Sequence, residues 1–420
     1  MYVDLELWLD DRWQVAGRME SLGNPATGYL GKVGLEYDYD YAMGQLGAGG
    51  SRALSCRYPP SFELWVEEPW PAFIFDILHA GAARRSMLAR LGRPDNREAD
   101  WELLAQAQFS PGNVRVRPAS DAAPAEHEGF DRAEVIERGP DFVEYAFERG
   151  APVAGSTGAQ GDSPKFLLSE DHSGRWHAEG ALEDSQIARH WLVKFPRGRD
   201  DSDLTVLAEE ARYMELARQA GLRANAPLIH QDGCLFIPRF DRVDGQRLGL
   251  ETIGALSAVS AYGVTQSMQA SARAVAEYCT DPAIELRELL LRDVLNSALG
   301  NTDNHVRNTS VLKHPNGRVE LSPIYDFAPM ILDRSGIPRA SRWGQREQRA
   351  AHIDWAGVIA DLEALGGEAS SLRDGARAIA DYVGSLGEHM TRQGVTADLV
   401  KRLRPRQAEL ARDLARACRS

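Results

Sequence analysis

The sequence predicts an α+β protein in which strands dominate the first half and helices the second. Three observations predict it. Apolar and polar residues alternate in YVDLELWL, Tyr2 to Leu9. From Leu250 onward, Leu, Ile and Ala recur at helical spacing, with Arg, Asp and Glu filling the opposite face. Between these regions SPGNVRVRPASDAAPAEHEGF is polar, small and turn-rich, which places a boundary near 110–135. The expected order is a small β-rich subdomain over 1–125, a β-rich lobe with one central helix over 126–245, and a helical lobe over 246–420. A hinge is expected near Arg239 to Gly245.

In the first region YVDLELWL reads as a strand, and GRMESLG is expected to turn it into a hairpin. GKVGLEYDYDYA is a further strand candidate, and SFELWVEEPWPAFIFDILHAGAARRSMLARLG passes from strand-like into helix-like residues. In the second region GSTGAQGDSPKFLLSE is a glycine-rich turn before an apolar run, and HWLVKFPRG is another strand. SDLTVLAEEARYMELARQAGL is an amphipathic helix, with Ser202 or Asp203 near its start and Gly221 at its end. GCLFIPRFDRV is a short strand entering a charged turn. In the third region AIELRELLLRDVLNSALG is a helix stopped by Gly300, and RVELSPIYDFAPM is a strand leading to a loop. DWAGVIADLEALG, SLRDGARAIADYVGSLG and ADLVKRLRPRQAELARDLARACR are further helices with a core face and a solvated face.

The 420 residues are 43% hydrophobic, enough for a substantial core and two lobes. Lys and Arg total 48 against 61 Asp and Glu, and the net charge of -13 argues against a surface coated in basic residues for nucleic acid. Cys56, Cys234, Cys279 and Cys418 are scattered with no CxxC pair, which points to reduced thiols. MYVDLELWLDDRW lacks the charged and apolar regions of a secretory signal, and no run of about 18 apolar residues occurs. A soluble cytoplasmic chain without a membrane partner is expected.

Several residues suit phosphoryl chemistry. Lys194 lies in a strand among apolar neighbours, where a lysine either snorkels at an edge or meets phosphates. Glu210 on the following helix suits a bracing partner, while its neighbour Glu209 points in another helical direction, so that one of the two can face solvent. GSTGAQGDSPKF has glycines that let backbone amides approach phosphate, but matches neither GxxxxGK[ST] nor GxGxxG. Lys165 is its one basic residue, and Ser156, Thr157 and Ser163 are candidate phosphoacceptors.

GNTDNHVRNTSVL is the densest polar stretch. Asp303 suits orienting, or taking a proton from, a hydroxyl. Asn308, and Asp326 in SPIYDFAPM, suit magnesium, which prefers oxygen ligands. Arg307 either contacts phosphate or faces solvent. Loop capping also accounts for Asp303 and Asn308, and an Asx turn before Pro329 for Asp326. His305 has no ligand spacing for zinc and is expected to stabilise the loop. No GxSxG elbow supports a serine hydrolase.

Taken together, these motifs resemble the HipA-like kinase family, the toxin kinases of bacterial HipBA-type modules. GNTDNHVRN resembles that family's catalytic loop, LSPIYDFAP its metal-binding segment, HWLVKFP its ATP-lysine strand, EEARYMELARQAGL the helix after it, and LFIPRFDR its nucleotide hinge. The resemblance implies a protein-kinase-like bilobal fold with an added N-terminal subdomain. It implies Asp303 as catalytic, Asn308 and Asp326 as the magnesium pair, Lys194 on ATP phosphates and Glu210 as its partner. Ile237, Arg239 and Phe240 would line or adjoin the adenine pocket, and Asp241 would reach the nucleotide sugar. The glycine-rich loop departs from the family, because GDS interrupts the expected order. The register of phosphate contacts and the autophosphorylated hydroxyl are therefore open among Ser156, Thr157 and Ser163.

The family implies a serine/threonine protein kinase using ATP and Mg2+. Its expected substrate is a translation component such as an aminoacyl-tRNA synthetase. Its expected partner is a small helix-turn-helix antitoxin, through which any DNA would be reached. The same loop would also serve a kinase for a small alcohol or sugar, or survive in an inactive interaction module of kinase fold.

Overall fold

The computed structural model describes residues 1–119, 127–148, 163–198, 200–349 and 352–419. The chain forms two compact units, one of residues 1–197, 231–264 and 312–319, the other of residues 198–230, 265–311 and 320–420.

In the first unit Tyr2–Leu9 and Arg12–Ser21 pair antiparallel, with Trp8 opposite Trp13. The reversal is at Asp10 and Asp11, with φ of 51° and 58°. Two successive left-handed residues make the turn that matches strand twist, and the short polar side chain of Asp tolerates that conformation. The expected turn in GRMESLG is therefore corrected. Gly17 lies inside the second strand, where a Cβ would come 2.5 Å from the Glu36 carbonyl oxygen. Its glycine signal reflects close backbone approach. The sheet runs Trp65–Glu67, Val33–Tyr37, Arg12–Ser21, Tyr2–Leu9, Val114–Val116. Leu5, Leu7, Met19, Leu35 and Trp70 lie in its core. Only the first half of GKVGLEYDYDYA is strand, because Asp38 caps a helix over Tyr39–Gln45.

A second core in the same unit gathers Phe166, Leu168, Trp176, Trp191, Val193, Phe195 and Phe236. It lies against the antiparallel strands Trp176–Ala178, Lys165–Asp171, Ile187–Lys194 and Cys234–Pro238.

In the second unit the helix Pro282–Leu299 is buried along most of its length and packs against Met268–Tyr278, Ala369–Gly384 and Ala397–Ala417. The helix Asp201–Gln219 is followed by Gly221 at φ 79°, as its sequence predicts. It groups with the C-terminal helices in the second unit. Glu209 shows why. It is fully buried, accepts the Thr396 amide at 3.1 Å at the start of the last helix and meets Arg212 at 3.0 Å, and Glu210 is buried too, so neither glutamate faces solvent. Among the described residues no helix is long and apolar enough to cross a membrane.

Candidate active site

The helix Pro282–Leu299 delivers the chain into the polar loop through Gly300, at φ 68°. A Cβ there would lie 3.0 Å from Ile331 and 3.1 Å from Leu403, while the Gly300 carbonyl accepts the Ile331 amide at 2.9 Å. Glycine is required both for the conformation and for the space.

The loop then folds on itself. The Asn308 amide N–H donates to the His305 carbonyl at 2.9 Å. His305 Nδ1 accepts the Arg307 N–H at 3.2 Å. A neutral His305 therefore carries its proton on Nε2, which lies 3.8 Å from Asp303 Oδ1. Asn308 Nδ2 donates to the Asp303 carbonyl at 2.9 Å. A carbonyl only accepts, so this bond fixes which end of the amide faces it. Asn308 Oδ1 is left buried with no hydrogen-bond partner.

Asp326 is brought to this loop by its neighbour. Tyr325 Oη donates to the Arg307 carbonyl at 2.9 Å and lies 2.5 Å from Ser310 Oγ. Asp326 itself takes φ of 51°, a left-handed conformation uncommon outside glycine, and such backbone is often kept where a side chain must be aimed. Tyr325 is a site residue the sequence reading passed over, and its place beside Asp326 was the one available signal. Arg307 is 4% exposed, which removes the solvent-facing alternative.

In the first unit Lys165 and Lys194 stand directly opposite each other on antiparallel neighbours, so their side chains share one face. Lys194 is 7% exposed and Lys165 half-buried. Ile237 and Phe240 are half-buried, and Ile237 pairs with Leu192 on the strand that carries Lys194. Ser163 is half-buried, while Ser156 and Thr157 lie outside the described residues. Glu210 is 1% exposed on the helix Asp201–Gln219 of the second unit.

Arg239 and Asp241 are bonded to each other. Arg239 grips both Asp241 oxygens at 2.9 and 2.6 Å and meets Glu179 at 3.0 Å. Asp241 also accepts the Gly112 amide at 2.6 Å and Arg242 at 2.9 Å. Burial alone would raise the Asp241 carboxyl, but Arg239 and Arg242 outweigh it and hold it far below the usual range. Burial, helped by Arg239, lowers the Arg242 guanidinium to about 10. These bonds make Asp241 a link between the charged turn and the Gly112 loop.

The family model for the HipA-like C-terminal domain matches residues 157–390, more than half of the chain. The chain belongs to the HipA-like family. Among solved structures this HipA-like chain is similar to HipA of Shewanella oneidensis MR-1, solved in a complex with HipB and its operator DNA. Identity is 18%, coverage 99% of this chain and 97% of that one, and the TM-score 0.66. That likeness shows the fold, an α+β architecture of N-terminal sheets and C-terminal helices. The Helicobacter pylori proinflammatory kinase CtkA covers 55% of this chain and 90% of its own, at 13% identity and a TM-score of 0.37. No curated protein matches.

The donor set suits magnesium. Asn308 contributes a neutral oxygen that nothing else uses, and Asp326 has a carboxylate of the kind magnesium takes. His352, Glu409 and Asp413 bring ligand atoms within 4.8 Å of one another, but at a solvent-exposed histidine already 3.3 Å from Glu409.

Proposed function

We propose that the chain is an ATP- and Mg2+-dependent serine/threonine protein kinase. The observation that carries this reading is Asn308. Its amide is turned so that Oδ1 is buried without a partner, a costly arrangement unless a cation or donor uses it. Asn308 and Asp326 would hold the magnesium ion, which neutralises phosphate charge when bound. Lys165 and Lys194 would take the negative charge of the phosphates, and their opposed register supports that role. Glu210 would steady the lysine side of the chemistry, Ile237 and Phe240 would adjoin the adenine, and Arg307 would assist the phosphates. Asp303 would orient the acceptor hydroxyl and take its proton, with His305 keeping the loop in shape.

We further propose a translation component as substrate, autophosphorylation at Ser156, Thr157 or Ser163, and a cytoplasmic location. The Shewanella protein is assembled with HipB and DNA. This chain, at net charge -13, would reach DNA through a small helix-turn-helix antitoxin and not through its own surface.

The test is transfer of the ATP γ-phosphate by the purified chain with and without magnesium, with mass spectrometry locating the product. Phosphorylated protein supports the reading, and phosphorylated metabolite alone redirects it to a small-molecule kinase. Absence of both ATP binding and transfer overturns it.

A further inference from the structure

Asp303 is followed by a residue whose whole side chain is used within the second unit. Asn304 Oδ1 accepts two successive amides, Ala340 and Ser341, each at 3.1 Å. Its Nδ2 donates to the Ser341 carbonyl at 3.0 Å and lies 3.4 Å from Asp293 Oδ1. One side chain thus reads both backbone groups of Ser341, a residue 1% exposed.

The segment it holds is anchored independently. Arg339 clamps both oxygens of Asp293 at 2.7 and 2.6 Å, donates to Ser297 Oγ at 2.9 Å and meets Glu347 at 3.2 Å. Trp343, fully buried, donates its indole N–H to Asp293 at 2.7 Å and its amide to Glu347 at 3.1 Å. On its other side the Arg342 carbonyl accepts the Met268 amide and the Trp343 carbonyl accepts Gln269 Nε2, both at 2.8 Å. Residues 339–347 are therefore a strap fixed to two helices. The loop joins it through the Asn304 side chain and the Thr302 carbonyl, which accepts the Ala340 amide at 3.1 Å.

We propose that Asn304 is a positioning residue. It transmits the rigidity of the Asp293–Arg339–Trp343 anchor to the backbone of Asp303, and so holds that carboxylate at its aim. Asn308 holds the Asp303 carbonyl on the C-terminal side, and Asn304 fixes the next residue to the strap. Cutting the Asn304 tie leaves the Asp303 backbone held by Asn308 and by the Thr302 carbonyl, which loosens its aim. The inference rests on the kinase reading for its catalytic part and on geometry alone for the tie. Asn304 does not touch the acceptor; it acts through its neighbour.

The test uses the full chain with Asn304→Ala and with Asn304→Asp, which keeps the size and the oxygen that accepts the two amides but loses the donor to Ser341. Misplacing a catalytic group by about an ångström costs up to roughly a hundredfold, so kcat is expected to fall between about tenfold and a hundredfold in both variants. The KM for ATP should stay within about twofold, because the group lost serves the reacting geometry and not nucleotide binding. Hydrogen exchange at the Ser341 amide should rise in Asn304→Ala, which removes its acceptor, and much less in Asn304→Asp, while the helix Pro282–Leu299 stays protected. A folded Asn304→Ala protein with kcat within about twofold of wild type overturns the proposal, as does a rise in ATP KM with kcat unchanged. Unchanged exchange at Ser341 in Asn304→Ala overturns the tie itself, whatever the activity. Wild-type protein that transfers no phosphate overturns the kinase reading, and a rise in exchange in Asn304→Ala would still support the tie.

Discussion

Asp303, Asn308 and Asp326 were read as a set from residue type and order, and the second unit assembles them through bonds the sequence did not display. Asn308 reaches back to the Asp303 carbonyl, and Tyr325 bonds the Arg307 carbonyl one residue before Asp326. Under the kinase reading Asp303→Ala should lower kcat by about 10²–10⁴-fold, measured as phosphate transfer at saturating ATP, the usual worth of a positioned base. Asp326→Ala should abolish most magnesium-dependent transfer while leaving the fold intact by circular dichroism, and equal activity in both variants would remove these assignments. Lys165→Met and Lys194→Met should each weaken ATP binding by about 10- to 100-fold, the loss of roughly one charge-assisted contact. The readout is the rise in melting temperature on adding ATP, which should shrink in each variant. Asp241 shows what residue type alone does not display: Arg239, Arg242 and the Gly112 amide are all on its oxygens.

Elements were legible where local chemistry is strong. Alternation placed the first strand, and Gly300 and Gly221 ended the two helices they were expected to end. Elements were misread where one residue type serves two purposes. Gly17 gave a turn signal but lies in a strand beside the Glu36 carbonyl, and the turn uses two aspartates instead. At Gly300 conformation and crowding act together. Gly300→Ala should cost about 1–2 kcal/mol for the left-handed backbone alone. Equilibrium urea unfolding should show a lower midpoint, and transfer activity should fall with it as the loop is displaced. An unchanged midpoint would mean that the helix end relaxes without penalty.

At the scale of the molecule, burial sets a pH dependence unrelated to the candidate site. His79 is 1% exposed, and burial lowers its pKa from 6.5 to about 4. The folded state keeps it neutral while the unfolded chain protonates, so its contribution is intact above 6.5 and is lost as pH falls from 6.5 toward 4. Melting temperature followed between pH 7 and 4 should decline, and His79→Leu should flatten part of that decline; an unchanged slope would place the sensitivity elsewhere. The sequence by itself determined the fold class, the family resemblance, the terminal glycines of two helices and the identity of the candidate loop residues. These follow from local periodicity, from conformational preference and from short motifs. Only the tertiary structure decided that Glu209 is buried against Thr396, that Lys165 faces Lys194, that Asp241 is occupied and that Asn304 ties its loop to the strap. Each depends on residues far apart in the chain, and spacing along a sequence carries no record of which distant donor meets which acceptor.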